Sequence, residues 1–376
     1  MSVAIVGAGI VGAATAWELA LRGVAVTVVD ADAIAGGSTG AGEGNVLCGD
    51  KDAGPELDLA ILGLRAFADL EALLGAEARI RRKGSLIVHP EAATWAAEPA
   101  RVERLHAAGV SCEVLDALAV AQAEPHLTGA VHGATRFAGD LQCAPRAIAR
   151  GLAREAAALG ARVREHVRVE AIALTGGRVA GLETTEGRVG ADAVVLAAGA
   201  WSAALAATVG LHLPVEPRWG QLVQLAAPAP LLQHKVVDGS YLASVLSADA
   251  GLQVTTVLET TWDGDLLVGS SRRRSGFHDA VEPAVGEAMV TRAASLMPAI
   301  RELSARRSWS GLRPWLPDHL PAIGPSAAAD GLWVATGHEG AGVALGPITG
   351  RLVAQGLCGE SLDLALEPFS ADRFDG

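Results

Sequence analysis

The first thirty residues place a strand, a glycine-rich turn, a helix and a second strand in an order that few folds share. Residues 2–6 (S-V-A-I-V) are apolar and have the length of a strand, and the motif G-A-G-I-V-G begins at Gly7. An Ala-rich helical stretch follows at 11–21, and a second strand at 25–29 ends on Asp30. This order and spacing indicate a βαβ unit that binds a dinucleotide.

Each glycine of the motif has a physical task in such a unit. Gly7 makes the tight turn, Gly9 lets the backbone approach a pyrophosphate, and Gly12 lets the helix pack closely on the strand. The pyrophosphate meets N–H groups at the helix start, and Asp30 accepts a hydrogen bond from a ribose hydroxyl. The alternative is an ordinary glycine-rich turn, which the flanking strands and the terminal acid disfavour.

The totals exclude several classes of protein. A chain of 376 residues suggests two or three domains with an ample core. Its net charge of -12 argues against nucleic acid and anionic membranes as partners. The four cysteines form no CxxC pair and no zinc or iron–sulfur spacing, so we expect no metal site. The first residues lack the basic segment of a signal peptide, and we expect a reduced, cytoplasmic protein.

Two stretches admit alternative interpretations. Residues 193–211 carry no charge and have the length of a membrane span, yet glycines and hydroxyl residues interrupt them. We interpret them as a buried strand (193–197), a turn and a packed helix, and we expect no integral membrane segment. The loop 36–49 is unusually rich in glycine. It is either disordered or wrapped around a cofactor, and its place after the nucleotide-binding unit favours the second interpretation.

Residue patterns predict further elements along the chain. The helices are expected at 56–74, 100–108, 146–159, 284–297 and 343–357, and the last is expected to be broken at Gly346, Pro347 and Gly350. The strands are expected at 85–88, 131–137, 163–169 and 193–197, with a hairpin turn at 176–177. Between 214 and 269 short β-type runs (220–225, 252–258 and 266–269) alternate with turns, which predicts a separate antiparallel sheet. We interpret the arginine run 272–274 as a solvated face.

Three motifs, taken in order, resemble one family. They are G-A-G-I-V-G with Asp30, V-V-L-A-A-G-A-W-S at 194–202, and G-L-R-P-W-L-P-D-H-L-P-A-I-G-P followed by V-A-T-G-H-E-G-A-G-V-A-L. Together they resemble the FAD-dependent oxidoreductases of the D-amino-acid oxidase type, which include glycine oxidase, the sarcosine oxidases and the D-hydroxyproline dehydrogenases. The segment G-D-L-L-V-G-S-S-R at 264–272 is most similar to the sarcosine oxidase β-subunit and hydroxyproline dehydrogenase branch.

The resemblance implies FAD as the cofactor. With the fingerprint, it assigns FAD binding to Gly7, Gly9, Ile10, Val11, Gly12, Asp30, Ala31, Ser38, Thr39, Gly44, Asn45, Val46, Val169, Ala198, Gly199, Trp201, Gly337, Gly340, Ala341, Gly342 and Val343. The last four begin a helical stretch, whose N–H groups and positive dipole end suit a reduced, anionic flavin.

The resemblance also places three residues at the reaction. Arg313, held between Gly311 and Pro314, is expected to bind a substrate carboxylate bidentately, and the alternative is a structural salt bridge to Asp318 or Glu339. Tyr241, the only tyrosine, is expected to reach over the flavin from the second sheet. His338 is expected to face the site, and a structural role is equally open.

We therefore expect an α/β fold in which a Rossmann-like FAD-binding domain (1–80, 141–212 and 311–376) is interrupted by a substrate domain with an antiparallel sheet (81–140 and 213–310). The implied reaction is oxidation of an amino acid or secondary amine, of the D-amino acid, D-hydroxyproline, sarcosine or opine type. The neutral amine loses hydride to flavin N5 and becomes an imine. The alternatives are an NAD(P)H-dependent flavoprotein reductase or hydroxylase and a non-catalytic assembly subunit. Companion subunits in a hetero-oligomer are candidate electron acceptors, with oxygen the other.

Overall fold

The computed structural model describes residues 1–374, so the last two residues of the predicted segment 311–376 lie outside the described range. The α-helices are α1 (Ile10–Leu21), α2 (Ser38–Ala41), α3 (Pro55–Leu74), α4 (Ala92–Ala107), α5 (Ala117–Ala123), α6 (Pro145–Ala158), α7 (Ser202–Ala207), α8 (Ser240–Val245), α9 (Pro283–Ala293) and α10 (Gly342–Cys358).

The strands fall into two large sheets and two small ones. In chain order they are β1 (Ser2–Val6), β2 (Ala25–Val29), β3 (Asn45–Val46), β4 (Ser85–His89), β5 (Glu113–Asp116), β6 (Gly133–Phe137), β7 (Leu141–Gln142), β8 (Arg162–Arg164), β9 (Val169–Thr175), β10 (Arg178–Thr184), β11 (Val189–Gly190), β12 (Ala193–Leu196), β13 (Glu216–Ala226), β14 (Lys235–Asp238), β15 (Gln253–Thr260), β16 (Leu266–Arg274), β17 (Ser304–Trp315), β18 (Ala322–Pro325) and β19 (Leu332–Thr336).

The first large sheet has six strands in the order β18-β19-β12-β1-β2-β8. Its neighbours from β19 to β8 are all parallel, and only β18 runs antiparallel. Strands β1 and β2 have the bounds that the sequence predicts, and α1 begins one residue earlier. This sheet confirms the predicted Rossmann-like architecture.

Small residues let the helices pack closely on this sheet and on each other. A Cβ on Gly12 would lie 3.0 Å from the carbonyl carbon of Gly7, where α1 crosses β1. A Cβ on Gly350 would lie 2.6 Å from the backbone of Ala14, where α10 crosses α1. A core rich in alanine and glycine therefore brings the N-terminal ends of α1 and α10 together at the sheet.

The second large sheet has eight strands in the order β17-β13-β16-β15-β14-β4-β6-β5. All its pairs are antiparallel except β14 with β4. Helix α9 packs against one face of it, around the fully buried Trp219 and Met289. The predicted antiparallel sheet is thus confirmed, and it also recruits strands from residues 85–137.

Three predictions of local structure need correction. The run 163–169 is not one strand, because His166 has φ 60° and separates β8 from β9. Strand β16 does not end at Gly269 but continues through the arginine run to Arg274. Helix α10 is not broken at its glycines, and Pro347 lies inside it. The hairpin turn at 176–177 joins β9 and β10 as predicted.

The division into two domains stays a prediction. Strand β17 pairs with β13 along its whole length, from Ser304 to Trp315, so the predicted boundary at residue 311 falls inside a strand of the second sheet. Across residues 1–374, no helix has the length and apolar character needed to cross a membrane.

Candidate active site

The carboxyl ends of four parallel strands meet at one edge of the six-stranded sheet, where ligands bind in open α/β folds. Residues 7–12 form the turn after β1 and the start of α1, and Asp30 and Ala31 follow the end of β2. Residues 198–201 follow β12, and residues 337–343 lead from β19 into α10. Most residues predicted to bind the cofactor are therefore neighbours in space.

The turn after β1 leaves its backbone open. Gly7 has φ 104°, and a Cβ there would lie 2.9 Å from the carbonyl carbon of Ala197, so glycine is required. At Gly9 a Cβ would meet only the hydroxyl of Thr39, at 3.1 Å. The space that a side chain at position 9 would occupy is therefore almost empty. A phosphate group can approach the backbone closely there.

Asp30 is held rigidly at the far end of this edge. Its Oδ2 accepts from the backbone N–H of Ala8 at 2.5 Å, and its Oδ1 from that of Asp32 at 2.9 Å. Burial raises the pKa of the Asp30 carboxyl above its ordinary value. The carboxylate keeps lone pairs for a further donor, as a ribose hydroxyl would supply.

Helix α2 connects the nucleotide turn to the second sheet. Thr39 Oγ1 accepts from the backbone N–H of Ile10 at 3.0 Å and so caps the start of α1. Ser38 Oγ donates to the carbonyl oxygen of Leu312 on β17. The glycine-rich loop is thus ordered around the predicted cofactor path, and its alternative as a disordered segment is not what the structure shows.

The remaining predicted cofactor residues lie around this path. Val46 is buried in one apolar cluster with Ile10 and Val343. Gly44 and Asn45 face β7, where Gly44 accepts from the N–H of Cys143 at 2.8 Å. Val169 is buried in the cluster that contains Val6 and Val29. Trp201 is 46% exposed, and its ring lies against Gly37. Their contacts to FAD stay predictions.

The start of α10 lies beside Arg313. A Cβ on Gly340 would be 3.8 Å from Cδ and Nε of Arg313, and a Cβ on Gly42 would be 3.5 Å from Val343. The predicted flavin-binding residues and the predicted substrate arginine are therefore adjacent. The bare glycine at position 9, the fixed carboxylate of Asp30 and this glycine-rich helix start together fit an extended dinucleotide such as FAD.

Arg313 is partly buried, and among residues 1–374 it is not paired with an acid. It lies on β17, where its Nη1 donates to the carbonyl oxygen of Ser271 on β16 at 3.1 Å. Its guanidinium crosses Gly220, where a Cβ would lie 2.7 Å from Cζ of Arg313. Burial lowers the pKa of Arg313, and the nearby Arg272 lowers it further.

The alternative interpretation of Arg313 as half of a structural salt bridge is wrong. Asp318 pairs with Arg373 at 2.6 Å. Glu339 pairs with Arg218 at 2.9 Å. Both acids are occupied by other arginines, which leaves the Arg313 guanidinium available to an external carboxylate.

Arg218 joins the segment that carries Tyr241 to Glu339. Its Nη2 donates to the carbonyl oxygens of Ser244 and Ser247 at 3.0 and 3.2 Å, and its Nη1 donates to that of Val245 at 3.0 Å and to Glu339. The segment that carries Tyr241 is thereby fixed to the loop that leads into α10. The sequence analysis did not single out Arg218.

The interpretation of the arginine run as a solvated face is wrong for Arg272. This side chain is 2% exposed, and its guanidinium carbon lies 4.6 Å from the centre of the Tyr241 ring. Tyr241 therefore covers an arginine beside Arg313, on α8 at the rim of the second sheet. Its contact with the flavin stays a prediction.

His338 is turned towards α10. Its ring is buried, and Nε2 lies 3.0 Å from Oγ1 of Thr349. Burial lowers the pKa of His338 to about 3, so the imidazole is neutral at ordinary pH. These contacts favour the structural alternative over a part in the reaction.

A row of buried charges, which the sequence analysis missed, begins at the glycine-rich loop. Glu43 lies 3.1 Å from Lys235, Lys235 lies 4.0 Å from Glu259, and Glu259 lies 2.5 Å from Lys83. Burial lowers the pKa of Lys83 to about 8. The sequence offers one indication of this charge row, namely that Glu43 is a single acid between Gly42 and Gly44.

Comparisons with known proteins show the family to which the chain belongs. The DAO family, described as FAD dependent oxidoreductase, matches residues 2–356. The chain is 33% identical in sequence to glycine oxidase of Geobacillus kaustophilus, over all of this chain and 97% of that protein. Its structure superposes on the crystal structure of glycine oxidase from the same organism with a TM-score of 0.90. That superposition covers 100% of this chain and 99% of the other, at 30% identity.

Two further relatives have other activities in their names. The chain is 33% identical to D-amino acid dehydrogenase of Cereibacter sphaeroides over 81% of this chain and 69% of that protein. It superposes on iminodiacetate oxidase from Chelativorans sp. BNC1 with a TM-score of 0.84, at 26% identity, over 98% of both chains. The family match spans nearly the whole chain, which confirms the resemblance seen in its motifs. The protein belongs to the DAO family of FAD-dependent oxidoreductases.

Proposed function

We propose that this FAD-dependent oxidoreductase oxidises an amino acid or a secondary amine at the carbon next to its carboxylate. The observation that carries the proposal is Arg313, a partly buried guanidinium that has no acidic partner among residues 1–374 and lies against Gly340, just before α10. Relatives named glycine oxidase, D-amino acid dehydrogenase and iminodiacetate oxidase act on substrates of this kind. These relatives support amine oxidation over the two alternatives, an NAD(P)H-dependent reductase and a non-catalytic subunit.

The protein's contribution to the reaction is orientation and fixed charge. Bound FAD supplies a hydride acceptor. Arg313 holds the substrate carboxylate as a bidentate pair, which fixes the position of the neighbouring carbon relative to Gly340. Tyr241 covers the pocket from α8 and restricts the entry of water. A substrate that binds with a neutral amine needs no protein base at this step, which agrees with the absence of an acid–base dyad among the residues singled out.

We assign the cofactor's parts to the sheet edge in order. Asp30 receives the adenosine ribose, the turn at Gly9 receives the pyrophosphate, and residues 340–343 face the flavin ring. The division into an FAD-binding domain (1–80, 141–212 and 311–376) and a substrate domain (81–140 and 213–310) is part of the same proposal, and so is a cytoplasmic location. So is a companion subunit as electron acceptor, which the relative named a dehydrogenase supports.

The substitution Arg313→Met tests the substrate site. We expect the purified variant to keep stoichiometric FAD, while kcat/KM for the best amine falls by roughly 100- to 1000-fold, because two charge-assisted hydrogen bonds are lost. Arg154→Met is the matched control, since Arg154 is exposed and paired with Glu77 and Glu155 at the surface. Unchanged kinetics in Arg313→Met would move the carboxylate site elsewhere. A wild-type enzyme whose flavin no amine reduces would overturn the proposed function itself, and bleaching by NADH would favour the reductase.

Stopped-flow reoxidation tests the electron acceptor. We expect the substrate-reduced enzyme to react slowly with oxygen and rapidly with an artificial dye, as a dehydrogenase does. Oxygen that reoxidises the flavin as fast as substrate reduces it, with stoichiometric hydrogen peroxide, would show a self-sufficient oxidase and remove the need for a companion subunit.

A further inference from the structure

We propose that Arg272 binds a second carboxylate in the substrate pocket, so that the preferred substrates are amino or imino dicarboxylates. This inference rests on the proposed function and names the substrate class of the same site.

The geometry begins with the register of three strands. Arg218 on β13 pairs directly with Arg313 on β17 and with Arg274 on β16. Residues directly opposite one another share a face of the sheet, and so do residues two apart on one strand. Arg272 and Arg313 therefore lie on the same face, on either side of Arg218. This face carries Tyr241 above it.

The hydrogen bonding of Arg272 is incomplete. Its Nη2 lies 3.3 Å from Ser270 Oγ, while Nε and Nη1 are buried and have no partner among residues 1–374. The Tyr241 ring covers the face of the guanidinium, and an aromatic ring accepts nothing from the N–H groups in the guanidinium plane. Buried N–H groups of a cation are costly to leave unsatisfied, so the site calls for an acceptor that a ligand brings.

The charges on this face lead to the same conclusion. Arg218 is neutralised by Glu339 at 2.9 Å, and Arg274 by Glu216 at 3.3 Å. In the part of the chain that the structure describes, neither Arg272 nor Arg313 has a carboxylate within 4.0 Å. A substrate with one carboxylate would neutralise one of these two cations. A substrate with two would neutralise both, and buried charges are stable only when paired.

Matched substrate pairs test the inference on the holoenzyme. D-aspartate with D-asparagine, and iminodiacetate with sarcosine, differ in one negative charge. We expect the wild-type kcat/KM to be at least about tenfold higher for the diacid of the preferred pair. In Arg272→Met, kcat/KM for the diacid should fall about 100-fold, while that for the neutral member stays within about threefold. Arg274→Met, on the same face but already paired, should change neither.

A binding measurement that needs no turnover accompanies the kinetics. Malonate should perturb the flavin absorbance of the wild-type enzyme at lower concentration than acetate does, and Arg272→Met should bind the two anions alike. Arg272→Lys serves as a second variant if Arg272→Met does not fold, and it should retain part of the diacid preference because it keeps the charge.

Two results would overturn the inference while leaving the proposed function intact. An equal loss for both members of a pair would mean that Arg272 and Arg313 hold one and the same carboxylate. A wild-type preference for the neutral member would mean that the pocket does not admit a second negative charge. Failure of every amine to reduce the wild-type flavin is a different outcome and counts against the proposed function.

Discussion

The substitution Gly220→Ala is expected to displace the guanidinium of Arg313, the proposed substrate arginine, without changing that residue itself. Gly220 lies on β13 beneath the Arg313 guanidinium, where a Cβ would lie 2.7 Å from Cζ of Arg313 and 2.5 Å from the carbonyl oxygen of Ser271. Carbon atoms in contact prefer a separation of about 3.5 Å or more, and Arg313 Nη1 lies closer still to the Cβ position, so the guanidinium must retreat by roughly 1 Å or more. The same methyl group pushes on the oxygen that now accepts from Arg313 Nη1.

The magnitude follows from these distances. A displacement of about 1 Å in a positioning group lowers the rate by roughly 100-fold. Overpacking of this kind lowers the free energy of unfolding by about 1–3 kcal/mol. We therefore expect Gly220→Ala to bind FAD, to be modestly less stable, and to lose roughly 100-fold in kcat/KM for a carboxylate-bearing amine.

The assay is anaerobic flavin reduction, with urea unfolding in parallel. Gly190→Ala is the control, because Gly190 lies on strand β11, lacks a positive φ, and has nothing within 4 Å of its Cβ position. A Gly220→Ala enzyme with full flavin and kcat/KM within about threefold of wild type would refute the reasoning. It would mean that the present position of the Arg313 guanidinium does not matter to the substrate.

Two further predictions concern the cofactor turn and the buried histidine. Gly9→Val should abolish FAD binding, because the valine methyl groups would fill the space at this turn, where the Cβ position lies 3.1 Å from Thr39 Oγ1. The flavin-to-protein ratio after purification measures this loss, and a stoichiometric ratio would contradict the prediction. The pKa of His338 is about 3 in the folded protein and near 6.5 when unfolded, so between these values the unfolded state binds more protons and stability is lost as pH falls. At pH 5 the free energy of unfolding is lower by about 2 kcal/mol for this reason. Urea unfolding at pH 7 and pH 5 measures this difference, and it should be absent in His338→Gln. The same pH dependence in both proteins would show that His338 does not contribute.

The nucleotide-binding part could be predicted because its signals are local. Gly7, Gly9 and Gly12 each answer a requirement set within a few residues, and β1 and β2 have the predicted bounds. The break between β8 and β9 could not be predicted, because a non-glycine residue, His166, takes a positive φ there. The valines at 163, 167 and 169 made the run look like one strand.

The proposed substrate site could be predicted only in part. Arg313 stands in a motif of its own, but Arg218 and Arg272 join it through strand pairing between segments that lie far apart in the chain. Register of that kind is set by the tertiary fold, and no local pattern reports it. The three consecutive arginines looked like a polar surface because composition does not reveal which face of a strand is covered.

The hydrogen bonds from Arg218 to the segment 240–247 affect how the substrate of such an enzyme can change during evolution. Three of its four acceptors are main-chain oxygens, of Ser244, Val245 and Ser247, and every amino acid supplies that atom. The side chains of this segment can therefore be exchanged while its anchorage persists. Position 241 in particular can carry another side chain over Arg272. In the proposed enzyme, new specificities can therefore arise by replacing a few side chains of the segment 240–247 while the flavin site stays unchanged.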